Sequence, residues 1–314
     1  MIQPHEAEAP SGPPAAGGPV IAGVRARRGL LLSAGALTLA FSLPLYHLVR
    51  FALASELYSH IVLIPFISAF LVWTKRGVRL PASAPARPWA LPLLLAGAGL
   101  LAWRGGLALA GATVAAADSL ALTTLSFVLL FAGLCAWFLG WRTLRAAVFP
   151  LVFLVFMVPF PVAVRDLLEN LLQHGSAAAA FGFFRLSGMP VHREGFVFHL
   201  PGFSLEVAPQ CSGIHSSLAL FITSAVAARL FLRTPWKRAV LTAAVIPLAL
   251  LRNGLRVFVV GTLCVRIGPE MIDAYIHRHG GPIFFVLSLI PFLLLLYGLW
   301  RTDYPVIRTT RPGE

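Results

Sequence analysis

The chain has 314 residues, of which 58% are apolar and only 12% are charged. Soluble domains are roughly 45–50% apolar and about 25% charged, so the composition excludes an ordinary soluble protein and indicates an integral membrane protein. The formal net charge of +13 does not indicate nucleic-acid binding. The basic residues stand in short clusters between long apolar runs and form no continuous stripe.

The apolar runs predict an all-α membrane protein with about eight transmembrane helices, since a helix needs ~20 residues to span the hydrocarbon core. Residues 105–118 are assigned to no span. We expect a disordered cytoplasmic tail over 1–24, a transmembrane domain over 25–303 and a cytoplasmic tail over 304–314. The predicted spans are 29–48, 58–74, 88–104, 119–140, 146–164, 211–232, 238–260 and 281–300.

Lysine and arginine clusters mark every second connection, which predicts the orientation of the helices. Both termini are then cytoplasmic, while residues 165–210 and 262–280 face outward. The segment 165–210 is the one long outer connection and is predicted to be an extracytoplasmic subdomain. Its stretch 195–208 has the apolar alternation and Gly/Pro punctuation of a short β-hairpin.

Cys211 stands where this outer segment enters the sixth predicted span, in the sequence Pro-Gln-Cys-Ser-Gly. Free amides and the helix dipole at a helix N-terminus favour the thiolate, which makes such a cysteine nucleophilic. Most membrane cysteines are inert small hydrophobes, so position alone leaves both interpretations open. The three cysteines have no metal-ligand spacing, and we expect neither a metal site nor a cofactor.

Arg252, Asn253 and Arg256 interrupt the seventh predicted span. A buried arginine costs at least ~2.5–3.5 kcal/mol on insertion scales, so each needs a cavity, a partner or the interface. Arg256 lies twenty residues beyond Trp236, about 30 Å at 1.5 Å per residue, which puts it at the outer surface. An interfacial arginine that reaches lipid phosphates is the alternative for either residue.

Three histidines are also predicted to lie at the outer face. His277 and His279 precede the last predicted span, and His60 stands at the mouth of the second. Histidine is the side chain best able to exchange a proton near neutral pH. Two histidines at i and i+2 point in different directions on a helix, which favours one catalytic histidine beside one bystander. Ordinary loop or interfacial positions are the alternative for all three.

Five elements together resemble the exosortase/archaeosortase family of membrane cysteine transpeptidases, over about residues 56–300. The resemblance implies a catalytic triad of Cys211, Arg256 and His277. It leaves open whether Arg252 replaces Arg256 and whether His279 replaces His277. In chain order, the elements are Tyr58-Ser59-His60 through Pro65, Pro159-Phe160-Pro161, Gly195 through Cys211-Ser212-Gly213-Ile214, Asn253-x-x-Arg256 and His277-x-x-x-Gly281.

The resemblance also implies a function. Such an enzyme cleaves the C-terminal sorting signal of exported proteins, a short PEP-CTERM-like motif followed by a transmembrane helix and a basic cluster, in connection with envelope or exopolysaccharide biogenesis. It would be embedded in the lipid of the bacterial inner membrane. The acceptor that releases the cleaved protein would be water or an amine. Beyond the triad, we expect substrate contacts from His60, Ser212, Gly213, Arg252, Asn253 and His279.

Two functions of other classes also fit the sequence. A transporter or flippase for an anionic envelope lipid or saccharide would use the arginines and histidines to bind a headgroup and would not need Cys211. A membrane scaffold for polysaccharide assembly would carry out no chemistry. Only the peptidase creates a new C-terminus on a partner protein.

Overall fold

The computed structural model describes residues 18–74, 86–208, 212–268 and 275–303, with side chains from Ala26 in the first helix and from Gly281 in the last. The chain divides into two compact units, Met1–Phe160 and Pro161–Glu314. The described residues are mostly helical, with one small antiparallel sheet. Each unit is described on its own below.

In the N-terminal unit, small residues bring two long helices close together. Ser126 donates a 2.6 Å hydrogen bond to the carbonyl oxygen of Gly97, and a Cβ at Gly97 would lie 3.0 Å from the carbonyl oxygen of Ser126. Close backbone approach at small residues is how apolar helices associate in membranes. The helices are α1 (Gly18–Ala40), α2 (Ser42–Leu53), α3 (Ile64–Trp73), α4 (Arg87–Leu109), α5 (Ala116–Phe138) and α6 (Trp141–Phe153), with 3-10 turns at Ser59–Val62 and Leu154–Met157.

The C-terminal unit consists of a helical bundle and the small sheet. Its elements are α7 (Val162–Leu186), β1 (His192–Glu194), β2 (Val197–Leu200), β3 (Phe203–Glu206), α8 (Ile214–Phe231), α9 (Pro235–Ala243), α10 (Val245–Arg266) and α11 (Tyr275–Asp303).

Helices α7 and α10 run parallel and touch through glycines at three levels. Gly175 meets Leu250, Gly254 meets Ala179 and Ala180, and Gly261 meets Phe184, in the same order along both helices. The inner face of the sheet packs on one end of this pair. The buried residues of that core are Ala177, Ala180, Phe184, Phe198, Leu200, Leu205, Val207 and Val257.

The other end of the bundle is fixed by Asp303, the last residue of α11. Its carboxylate accepts hydrogen bonds from the backbone N–H of Arg233, the hydroxyl of Thr234 and the ammonium of Lys237, at 2.8, 2.6 and 2.7 Å. A carboxylate at a helix N-terminus satisfies free amides and complements the helix dipole. The end of α11 therefore lies at the beginning of α9, and the two helices are antiparallel.

The predicted fold class is confirmed. Among the described residues, five helices are long and apolar enough to cross a membrane, or up to seven if each of two bent pairs is one span, and Ser59–Trp73 is a shorter apolar segment. The first helix already begins at Gly18 and bends by 66° before Ser42. It thus includes part of the predicted tail, of which residues 1–17 lie outside the described residues, as does the predicted tail 304–314.

The predicted span 146–164 is wrong as one continuous helix. The backbone is extended at Val158 and Pro161, because prolines 159 and 161 lack amide protons and restrict the residues before them. Residues 165–186, which the sequence analysis placed in the outer segment, form most of the 25-residue helix α7. Their polar and small side chains pack on α10, so hydropathy alone did not mark them as a helix of the bundle.

The predicted hairpin is confirmed, with a third strand added. Strands β2 and β3 pair antiparallel around a two-residue turn, Pro201-Gly202, and β1 pairs with the other edge of β2. Gly202 has φ +76°, which the second central position of a type II turn requires. The structure therefore places a small sheet directly ahead of the segment that contains Cys211.

Candidate active site

Gly213 begins helix α8 in a left-handed conformation, with φ +75° and ψ +18°. A Cβ at this position would lie 3.1 Å from side-chain atoms of Asn253 and 3.4 Å from Nη2 of Arg252. Both the backbone angle and the lack of space favour glycine. The sequence-predicted residues Gly213, Arg252 and Asn253 are therefore brought together.

Arg252 anchors the first turn of α8. Its Nη2 donates to Oγ of Ser216 at 2.7 Å, to Oγ of Ser217 at 3.2 Å and to the carbonyl oxygen of Gly213 at 3.4 Å. The residue is only 6% exposed. These contacts fix the backbone within two residues of Cys211, the position at which the sequence predicts the nucleophile.

Two buried polar atoms beside this turn have no hydrogen-bond partner within the part of the chain that the structure describes. They are Nη1 of Arg252 and Oγ of Ser212. Ser212 is 1% exposed and directly follows Cys211. Buried donors are usually hydrogen-bonded. These two atoms can therefore still form hydrogen bonds beside the first turn of α8.

Arg256 lies one turn further along α10 and is half-buried. It lines a small open pocket between the end of β3 and one face of α10. Asn253, 3% exposed, lines the same pocket. The two arginines thus have different surroundings: Arg252 contacts α8, and Arg256 borders the pocket beside the sheet.

Cys211 itself lies outside the described residues, as do the side chains of His277 and His279, although the backbone of both histidines belongs to the first two turns of α11. The helix geometry still gives the height of His277 along the bundle. Because Asp303 meets the beginning of α9, 1.5 Å per residue places His277 about 39 Å and Arg256 about 33 Å from that end. His277 and Arg256 are therefore about one helical turn apart in height.

These residues fall within the segment that matches a known family. A family model described as transmembrane exosortase matches residues 49–294 of the chain, more than half of its length. The chain belongs to the transmembrane exosortase family. No curated protein and no solved structure matched in the other two comparisons. The family is one of multi-pass membrane cysteine transpeptidases, and the apolar helices agree with a multi-pass membrane protein.

His60, the remaining sequence-predicted site residue, belongs to the N-terminal unit of this exosortase-family protein. It stands in the 3-10 turn Ser59–Val62, and its Nδ1 lies 3.0 Å from the carbonyl oxygen of Leu57. Tyr58 beside it is 5% exposed, and its hydroxyl donates to the carbonyl oxygen of Phe160 at 3.4 Å. Within this unit, the Tyr-Ser-His element of the resemblance therefore contacts Phe160 of the Pro-x-Pro element.

The structure adds one residue that the sequence analysis missed. Gln173, on α7 and 7% exposed, donates from Nε2 to the carbonyl oxygen of Val207 at 2.5 Å. This bond fixes the outgoing end of β3, four residues before Cys211. The sequence did contain a signal for it, because Gln173 is spaced to share one helical face with Ala177, Ala180 and Phe184. The sequence analysis assigned this stretch to the outer segment and did not examine it for a helical pattern.

Proposed function

We propose that this exosortase-family protein is a membrane cysteine transpeptidase that cleaves the C-terminal sorting signal of exported proteins, with Cys211 as nucleophile. The observation that carries the proposal is the anchoring of the first turn of α8 by the buried Arg252. A nucleophile next to this turn has its backbone held from two sides, by Gln173 before it and by Arg252 after it. Preorganisation of this kind supports catalysis.

The reaction begins with attack of the Cys211 thiolate on the carbonyl carbon of the scissile peptide bond. The tetrahedral intermediate collapses to a thioester when the peptide C–N bond breaks, and His277 gives a proton to the leaving amine. An amine or water then attacks the thioester and releases the thiol. His277, or His279 in its place, removes the proton from the acceptor.

The surroundings of the two arginines support different roles. Arg252 is committed to three oxygens at the beginning of α8, which suits a positioning residue. Arg256 borders an open pocket beside the end of β3, which suits contact with a substrate group. We therefore assign to Arg256 the stabilisation of the oxyanion or the orientation of the peptide.

The substrate follows from the same proposal. A protein that ends in a short PEP-CTERM-like motif, a transmembrane helix and a basic cluster would diffuse laterally to the enzyme in the bacterial inner membrane. Its basic cluster would remain cytoplasmic and its scissile bond would lie at the outer face, beside Cys211. Ser212, Gly213 and Asn253 would then contact the bound peptide, and envelope or exopolysaccharide biogenesis would be the process served.

The test is co-expression with an exported reporter that carries such a tail, followed by mass spectrometry of the reporter's C-terminus. The parent enzyme is expected to produce a shortened reporter. Cys211→Ala and Cys211→Ser are expected to leave it intact, because neither side chain supplies a readily ionised sulfur. Cys135→Ala is the matched control, since Cys135 is buried in α5, and it is expected to process normally.

Processing by Cys211→Ala at the parental rate would overturn the proposal. The alternative of a headgroup transporter would then be favoured, because a transporter does not need the sulfur of Cys211. A reporter that stays intact with the parent enzyme, despite correct export, would also contradict the proposed activity on such tails.

A further inference from the structure

Strand β3 is an edge of the three-stranded sheet, whose order is β1-β2-β3. Along β3, Phe203 and Leu205 face the core, while Ser204 and Glu206 are exposed on the other face. An edge strand presents a row of backbone groups that can pair with another chain. Cys211 follows the last residue of this strand five positions further along the chain.

The register shows which backbone groups point outward. The amide of Val207 donates to the carbonyl oxygen of Phe196 at 3.0 Å, so this pair is hydrogen-bonded across the two strands. In an antiparallel ladder such pairs alternate with non-bonded ones, and Ser204 and Glu206 occupy the non-bonded positions opposite His199 and Val197. Their N–H and C=O groups therefore point away from β2, and no described residue bonds to them.

A pocket runs beside this edge. Its first wall is the end of the strand, from Leu205 to Val207, and its second wall is one stripe of α10. Spacings of three and four residues place the members of the stripe on one helical face. They are Asn253, Arg256, Val257 and Val260.

The residues that line the pocket indicate what kind of side chain fits it. The valines give it an apolar interior, and the half-buried Arg256 puts a positive charge in its wall. Glu206 lines the same pocket, so its walls carry one charge of each sign. The apolar interior therefore favours an apolar side chain of the bound chain.

We propose that an extended segment of the substrate binds as a fourth strand on the free edge of β3, with an apolar side chain in the pocket beside Arg256. This inference rests on the proposed function and names the recognition site for it. Four backbone groups of Ser204 and Glu206 would pair with the peptide, and alternate side chains would face the pocket, as in other cases of strand addition.

A peptide bound at this edge would lie close to the nucleophile. Cys211 is the fifth residue after Glu206, at most about 18 Å of extended chain away. A peptide paired with β3 therefore lies within a few residues of the nucleophile. A lipid acyl chain would fill the apolar pocket but would leave all four outward backbone groups without partners, so the geometry favours a polypeptide.

The first test removes one outward amide. Ser204→Pro deletes an N–H that takes no part in the ladder with β2, and proline is tolerated on an edge strand when its nitrogen faces outward. Reporter cleavage is expected to slow by roughly five- to tenfold, the effect of about one lost hydrogen bond. Arg193→Pro is the matched control, because Arg193 holds the equivalent outward position on β1, opposite Phe198. It is expected to cleave at the parental rate.

The second test is photo-crosslinking with p-benzoylphenylalanine in the full-length Cys211→Ala enzyme, which retains uncleaved reporter. Glu206 and Glu194 are exposed glutamates on the same face of the sheet, one on each edge strand. A probe at 206 is expected to crosslink the reporter tail, and a probe at 194 is not. This measurement decides the matter if Ser204→Pro fails to accumulate in the membrane.

The outcomes separate this inference from the proposed function. Parental cleavage by Ser204→Pro at normal protein levels, or equal crosslinking at 194 and 206, overturns strand addition while the transpeptidase stands. Crosslinking of lipid alone at position 206 assigns the pocket to a lipid and also overturns it. A parent enzyme that cleaves no tailed reporter removes the proposed function, and strand addition with it.

Discussion

Among the glycines that the structure describes, Gly254 is one at which an added methyl group would meet backbone and Cβ atoms that cannot move aside. It lies on α10 between Asn253 and Arg256, where α10 touches α7. A Cβ there would stand 2.6 Å from Cβ of Ala179 and 2.9 Å from the backbone nitrogen of Ala180. Neither neighbour is the end of a flexible side chain, so Gly254→Ala can be accommodated only if the helices separate.

The magnitude follows from this geometry. Ordinary contact begins near 3.4 Å, so the backbones must move apart by roughly 1 Å in an interior that is close-packed. Overpacking of this kind costs about 1–3 kcal/mol, partly offset by the ~1 kcal/mol that alanine gains over glycine in a helix. Gly182→Ala on α7 is the control, because no atom of the described residues lies within 4 Å of its Cβ and only the gain applies.

The assay is thermal unfolding of the purified variants in one detergent, with reporter cleavage measured in parallel. A difference of 1 kcal/mol moves the melting temperature by about 2–4 °C in a domain of this size. Gly254→Ala is expected to melt below the parent, and Gly182→Ala at or above it. Cleavage should fall further than stability in Gly254→Ala, since its shift carries the neighbouring arginines with it.

A graded control sharpens the test. The nearest atoms to a Cβ at Gly175 belong to the side chain of Leu250, with its terminal methyl groups at 2.8 and 2.9 Å and its Cγ at 3.3 Å, and these methyl groups can rotate away. The melting temperature of Gly175→Ala is expected to lie between those of the other two variants. The reasoning is refuted if Gly254→Ala melts as high as Gly182→Ala, because α7 and α10 would then not be in the close contact described.

Three further predictions follow from the same structure. Arg256→Lys should abolish cleavage without lowering the melting temperature. Arg252→Lys should lower both cleavage and the melting temperature, because one ammonium cannot replace the planar guanidinium that bonds α8. A greater loss of cleavage in Arg252→Lys than in Arg256→Lys would move the catalytic assignment to Arg252. In a cysteine-free background, an impermeant maleimide should label Ser187→Cys and not Ser83→Cys, and labelling at 83 alone would invert the topology. Asp303→Ala should lower the melting temperature by freeing the beginning of α9, and an unchanged melt would show that this contact contributes nothing.

The sequence predicted those parts of the fold that depend on local patterns. The spans 88–104 and 119–140 correspond to α4 and α5, and the Pro201-Gly202 turn and the alternation around it predicted the hairpin. Hydropathy and turn chemistry act over a few residues, so one chain is enough to recognise them. The missed helix α7 is different, because small and polar residues such as Ser176 and Ala180 become a buried face only when α10 lies against them.

The candidate site shows the same division. The sequence selected Gly213, Arg252 and Asn253, and the structure brings them together. It left Arg252 and Arg256 as alternatives, since residues at i and i+4 share a helical face and differ only in what lies opposite them. That difference is tertiary: the first turn of α8 receives Arg252, and the pocket beside β3 is bordered by Arg256.

The burial of Arg252 argues for a constraint beyond stability. A guanidinium inside a membrane helix costs at least ~2.5–3.5 kcal/mol, and one of its nitrogens has no partner among the described residues. A purely structural contact would be achieved more favourably by an apolar side chain that fills the same space. Only a donor of this reach holds the Gly213 carbonyl and both serine hydroxyls at once, and these groups define the turn that follows Cys211. The unfavourable burial is therefore best understood as the cost of a rigid nucleophile segment.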